Sequence, residues 1–452
     1  MWTSSVSGLF LSVFIAYFVG YNTYFIGVYL DYIFKIYYHL NSSLDRMIYR
    51  IVFGSSLLSF IYYFTTLLFG DGATVFVTYP LVIINGLFSI YPTTAKLIFS
   101  SISSNLGELK HLDKLEKMLL GIFIIYFISS TPNINFIDNL GYKSYLTSDF
   151  FHLNFTLVRE LFKFGENHTQ LLGYFYYFLG GMYYLVIYSF FRFFFSRRVS
   201  LIGILAIVSN WNLVKIIYGN FTVYGSSLYL LSFIWALIWV GSSKSYRTNL
   251  FFGMILALSS HHPFNISFVF LIIGLVSIFL TSALRTNWAK LQSLKYMSFG
   301  LILTFLFWAL GYFVVDNFSV HQSWPFSINL FFKKSFNILG VLGCLLFFTT
   351  YFLNRVRRTQ KTVPFFNHSN YLLFTFLFTV VVWALSSGGQ HFDISAFLFF
   401  VIVLFSLPIL EIVLNTFGFF HSKRNLIFFL YILFSILDSH LESRIKTFIS
   451  MF

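Results

Sequence analysis

The chain has 452 residues, of which 58% are hydrophobic and 10% charged, with a mean hydropathy of +0.79 and a formal net charge of +14. An ordinary soluble domain is about one-quarter charged, so composition alone excludes that class and defines a polytopic membrane protein. The Lys and Arg residues fall in short clusters between apolar runs, not on one amphipathic face or a basic tail, so the charge argues for membrane orientation and no nucleic-acid partner is expected.

The first thirty residues, "MWTSSVSGLFLSVFIAYFVGYNTYFIGVYL", lack a basic n-region and read as a first span, not a cleaved signal. A window of about 20 residues, enough to cross about 30 Å of hydrocarbon, then predicts an all-α chain of about fourteen spans (range 11–14). They lie near 7–30, 47–69, 74–98, 115–131, 170–191, 199–218, 223–241, 247–260, 264–284, 295–315, 332–353, 370–387, 392–415 and 425–438. Helices are expected because the backbone must satisfy its own hydrogen bonds in lipid, and the runs are too long for barrel strands.

The connecting loops alternate in character. "HLNSSLDRMIYR", "ELKHLDKLEK", "RFFFSRR", "SSKSYRTN", "RTNWAKLQSLK", "NRVRRTQK" and "HSKRN" are basic and fall on one side. "GDGA", the segment 132–169, "GNFTVYG", "SSHHPFN", "VVDNFSVHQSWPFS" and "SSGGQHFD" carry Asp and His with little positive charge. Positive loops collect on the cytoplasmic side, which puts the N-terminus and the polar loops outside.

Only one external loop is long, residues 132–169, and long loops in compact domains tend to be functional. It holds Asp149, His152, Arg159, Glu160, Glu166 and His168. Phe150, Leu153, Leu157, Val158, Leu161 and Phe162 recur at helical spacing, predicting an amphipathic helix that lies at the membrane surface with Ser148 or Asp149 as N-cap. Arg159 and Glu160 then read either as a solvated face or as part of a site.

The order of an apolar span, an external approach ending in Asp, the helix "DFFHLNFTLVRELFKFGEN" and then "HTQLLGYFYYFLGG" resembles the first external loop and following helix of GT-C glycosyltransferases. The resemblance continues through basic and polar turns to "GMILALSSHHPFN" and covers roughly 115–285, with 1–114 as additional N-terminal helices and 286–452 as C-terminal ones. Its motifs are loose. Three extra spans stand before the one that leads into the Asp-bearing loop, where the family begins, and "NHTQLLGY" stands where the family often has a proline-rich entry.

Members of that family are integral-membrane enzymes that take a sugar from a polyprenyl-phosphate carrier. The resemblance implies that Asp149 acts as general base on an acceptor hydroxyl, or positions it. Some members also bind a divalent metal through this carboxylate, so the resemblance makes Asp149, with Asp138 as a second acid, the candidate metal ligands. Read from the residues alone, Asp149 is equally a helix cap and Asp138 a turn residue. Lys215, near the external end of its span, either snorkels or pairs with a donor phosphate. In "SSHHPFN", His261 and His262 point to different sides of a helix that Pro263 ends, and one of them either caps the helix or lines the pocket. His152, Arg159, Glu166 and His168 complete the expected substrate-binding set.

Asp316, His321, Gln390, His391 and Asp393 are weaker candidates in external loops, and Glu411 falls at the predicted cytoplasmic end of its span. The aromatic 23% is spread over every span and reads as lipid-facing packing and interface belts. A single cysteine, Cys344, leaves no disulfide framework or cysteine-based zinc site. The chain has no phosphate loop of the G-x-x-x-x-G-K-[ST] kind, no H-E-x-x-H and no nucleophile elbow. The competing readings are a transporter or flippase, and a polysaccharide polymerase handling lipid-linked saccharides. No repeat relates the two halves, and the long external loop has one arginine where a polymerase would be arginine-rich.

Overall fold

The structure, a computed structural model, describes residues 2–35, 42–129, 155–162, 168–210 and 245–259, with parts of 295–302, 403–414 and 423–446. The described elements are helical and include no strand. In chain order they are α1 (Trp2–Phe34), α2 (Ser43–Phe69), a short 3-10 turn (Asp71–Ala73), α3 (Thr74–Ile90) and α4 (Pro92–Lys110). They continue with α5 (Lys114–Ser129), α6 (Phe155–Leu161), α7 (His168–Phe194), α8 (Arg197–Ser209), α9 (Tyr246–Ser259) and α10 (Arg424–Asp438).

Two of these are long and apolar enough to cross a membrane: Phe10–Phe34 of α1 and Ser43–Thr66 of α2. The span expected over 74–98 is instead two helices, bent by 83° between Ile90 and Pro92. Proline disfavours the helical region for the residue before it and has no N–H to continue the ladder. Tyr91 accordingly sits in extended conformation, with φ −63° and ψ 128°. The spans expected near 223–241, 264–284, 332–353 and 370–387 lie outside the described residues, as does most of those near 295–315 and 392–415.

The chain divides into two compact units. The first comprises Met1–His111, Asn133–Val186 and Leu228–His321. Its centre is the antiparallel pair α1 and α2, which approach to backbone contact. A Cβ at Gly27 would land on the Arg50 carbonyl, and one at Gly54 would land on the Thr23 carbonyl and lie 2.8 Å from the Gly27 nitrogen. Helices in lipid gain little from burying apolar surface against each other, so small residues that permit close packing, and polar pairs between helices, hold them together. Asp31 and Arg50 form such a pair at 2.8 Å, and Arg50 Nη1 donates to the Tyr24 hydroxyl at 3.0 Å. Asn85 of α3 donates to Asn22 Oδ1 at 3.0 Å and accepts from the Tyr29 hydroxyl at 3.2 Å.

Polar side chains join the apolar core inside, and large apolar ones face outward. Asn22, Thr23, Ser55, Ser59, Thr78 and Asn85 are buried, while Phe10, Phe14, Tyr17, Phe76, Ile83, Leu87 and Ile90 are exposed on the same helices. An apolar exterior around a polar seam is what a lipid solvent selects.

The second unit comprises Leu112–Pro132, Ile187–Ser227 and Gln322–Phe452. Helix α8 is buried from Val199 to Ser209 and packs against α5 and α10. The start of α5 is a capping box: Glu116 N–H donates to Asp113 Oδ1 at 2.7 Å and Asp113 N–H to Glu116 Oε2 at 3.1 Å. Arg198 forms an ion pair with Asp113. Burial alone would raise the Asp113 carboxyl, but the Glu116 N–H, the Arg198 guanidinium and the Leu115 N–H together hold it below the usual carboxylate range. Glu411 Oε2 accepts from both Ser196 N–H, at 3.1 Å, and Ser196 Oγ, at 2.8 Å. Residues of three basic loops, "HLDKLEK", "RFFFSRR" and "HSKRN", and Glu411 with them, thus gather within this unit.

Candidate functional site

The long polar loop is anchored through α6. Of the two readings of its polar face, the solvated one does not hold for Glu160: Phe155, Thr156, Leu157, Val158 and Glu160 are all buried, on both the apolar and the polar side of the helix. The reason is that α6 docks against α1 and α3 and so is covered by protein on more than one face. Phe162 meets Phe14 and Phe18 of α1 edge-on, at ring separations of 5.9 and 5.3 Å. Phe155 lies 5.8 Å from Phe175 of α7.

Burial of Glu160 requires partners, because a carboxylate removed from water is costly unless it is paired and hydrogen-bonded. Arg159 supplies the charge, donating from Nη2 at 2.9 Å and Nε at 3.2 Å to Glu160 Oε1. Thr74, the first residue of α3, donates its hydroxyl to the same oxygen at 3.2 Å. One turn along α3, the Thr78 hydroxyl donates to the Thr74 carbonyl at 2.8 Å. With that proton committed, the Tyr62 hydroxyl of α2 is the donor in its 2.8 Å bond with Thr78 Oγ1. Tyr62, Thr78, Thr74, Glu160 and Arg159 therefore form a polar chain from the interior of α2 and α3 to the loop helix. Only Arg159, with 26% of its side chain exposed, reaches toward solvent.

The cluster also joins parts expected on one side of the membrane. The "GDGA" turn before Thr74, the loop 132–169 and the beginnings of α1 and α7 all belong to the predicted external set, and the structure brings α6 into contact with each of the helices that start there. Two of the N-terminal helices that are additional in the resemblance, α1 and α3, supply the seat of the loop helix.

Of the predicted site residues, Arg159 is in this cluster and His168 is the first residue of α7. Asp138, Asp149, His152, Glu166, Lys215, His261 and His262 lie outside the described residues. No group of three His, Cys, Asp or Glu side chains that could hold a metal occurs among the described residues, and the expected metal pair, Asp138 and Asp149, is not among them. Sequence reasoning missed Tyr62, Thr74 and Thr78. The signal available was the i, i+4 spacing of two threonines at the start of an apolar helix, which puts both hydroxyls on one face.

Comparison with models of known protein families, with curated proteins and with solved structures gives no match.

Proposed function

We propose that the chain is an integral-membrane glycosyltransferase of the GT-C kind, transferring a sugar from a polyprenyl-phosphate donor to an acceptor at the extracytoplasmic face. The observation that carries the reading is the distribution of ionisable groups. In the two described spans they are confined to the ends, at Asp31 in one and at Asp45, Arg46 and Arg50 in the other. The long loop meanwhile carries a buried Glu160, paired with a partly exposed Arg159, docked on the bundle. A transporter gathers such groups near the midplane, on interrupted helices; chemistry on a lipid-linked substrate gathers them where the headgroup lies.

In this reading Asp149 takes the proton of the acceptor hydroxyl as its oxygen bonds to C1 of the sugar. The bond from C1 to the phosphate oxygen breaks, and polyprenyl phosphate leaves with the electron pair. Lys215 and His261 or His262 are assigned to that phosphate, and His152, Glu166 and His168 to binding the substrates. The Arg159–Glu160 pair holds the loop in place. The donor arrives through the bilayer, so no nucleotide-binding fold is needed.

The test is transfer of labelled sugar from a panel of polyprenyl-phosphate donors by the purified chain in lipid. Asp149→Asn is expected to lower turnover by at least about a hundredfold, the scale of a general base, while eluting as the wild type does. Full turnover in Asp149→Asn overturns the assignment of the base.

A further inference from the structure

The second unit holds a cavity of about 390 Å³ whose wall carries Arg192, Arg197, Arg198 and Arg424 against a single carboxylate, Glu116. The balance within the wall is three positive charges in excess, and the arginines differ in how they are engaged. Arg198 is paired with Asp113. Arg197 approaches Glu116 at 3.6 Å, too long for a hydrogen bond of good geometry. Among the described residues, Arg192 donates only to the Phe195 carbonyl, at 3.5 Å, and Arg424 has a buried Nε with no hydrogen-bond partner. Neither Arg192 nor Arg424 has a carboxylate partner among the described residues.

That arrangement is unfavourable on its own. A buried guanidinium N–H without an acceptor loses its hydration for nothing. Arg197, Arg198 and Arg424 moreover occupy the first turns of α8 and α10, where the helix dipole is positive and disfavours cations. Both penalties are relieved by one ligand, an anion with several acceptor oxygens that accepts from more than one guanidinium at once. The size fits a headgroup, at the lower end of ordinary ligand cavities of about 300–1,000 Å³.

The surroundings specify the source of the anion. One wall is apolar, with Leu414 and Phe428, and α10 turns Leu426, Phe429, Leu430, Leu433 and Leu437 outward along its length. A ligand with its phosphate among the arginines can lay a hydrocarbon chain along that face. We infer that this cavity is a binding site for the phosphate headgroup of a membrane lipid, at the end of the unit formed by the basic loops. The site stands on the geometry of this unit and is independent of the transferase reading.

The experiment measures thermal unfolding of the full chain in neutral detergent while phosphatidic acid, phosphatidylcholine, inorganic phosphate or pyrophosphate is titrated in. A ligand that binds the folded state raises the melting temperature according to its affinity. Phosphatidic acid is expected to stabilise the wild type saturably and phosphatidylcholine is not. Arg424→Gln is expected to weaken the phosphatidic acid response about tenfold, the scale of one charge-assisted hydrogen bond. Arg192→Gln, at an exposed position at the mouth, does the same without disturbing packing, and Lys446→Gln leaves the response unchanged. Equal stabilisation by inorganic phosphate or pyrophosphate and by phosphatidic acid overturns the lipid as source. No response to phosphatidic acid, or an unaltered response in both arginine variants, overturns the site.

Discussion

At Glu160 a carboxylate, a guanidinium and a hydroxyl meet on one oxygen in a position almost closed to solvent. Glu160→Gln keeps the shape, removes the charge and leaves Arg159 without its partner; Arg159 is partly exposed, so water recovers some of the loss. The expected destabilisation is about 1–3 kcal/mol, and that of Thr74→Val about 1 kcal/mol. Because both side chains act through the same oxygen, the double variant is expected to lose less than the sum. Thermal unfolding of the four proteins checks this, and strict additivity would mean that the Thr74–Glu160 bond does not hold the loop helix.

Among the elements, α1 and α2 owe their register to two glycines. Gly27→Leu forces the backbones apart and is expected to cost about 1–3 kcal/mol or more, seen as a lower melting temperature or as failure to accumulate in the membrane. Gly86→Ala, which meets nothing within 4 Å, is expected to be neutral or to stabilise by up to about 1 kcal/mol. Equal effects at the two positions would contradict the close approach. The helices themselves were legible because an apolar run of span length has few alternatives, and α1, α2, α5, α7 and α10 start within a few residues of where hydropathy puts them, allowing for the extra turn that continues past the hydrocarbon. The break at Pro92 was half-legible: the proline stands in the sequence, but an averaged window over 74–98 blurs a single backbone restriction. The seat of α6 was not legible. Its hydrophobic positions announce a helix, yet Glu160 reads as solvated until Thr74, 86 residues away, is brought to it. Contacts at that separation leave no periodic trace.

For the whole molecule, the alternation of basic and acidic or neutral loops predicts two accessible faces. The single native cysteine simplifies the check: with Cys344→Ser as background, cysteines introduced at Gly72 and at Lys423 are expected to react with an impermeant thiol reagent from opposite sides of sealed vesicles. Labelling of both from one side would break the predicted count of spans between them. The same alternation predicts that the loop 132–169 lies outside, where a polyprenyl-linked sugar and its acceptor would meet. The most direct measurement of the account is therefore whether the wild-type chain, reconstituted in sealed vesicles with labelled polyprenyl-phosphate sugars, moves the label onto an acceptor covalently. The account predicts a labelled glycoside with release of polyprenyl phosphate; substrate-dependent movement of intact donor across the bilayer with no new glycosidic bond would contradict it and make the chain a transporter.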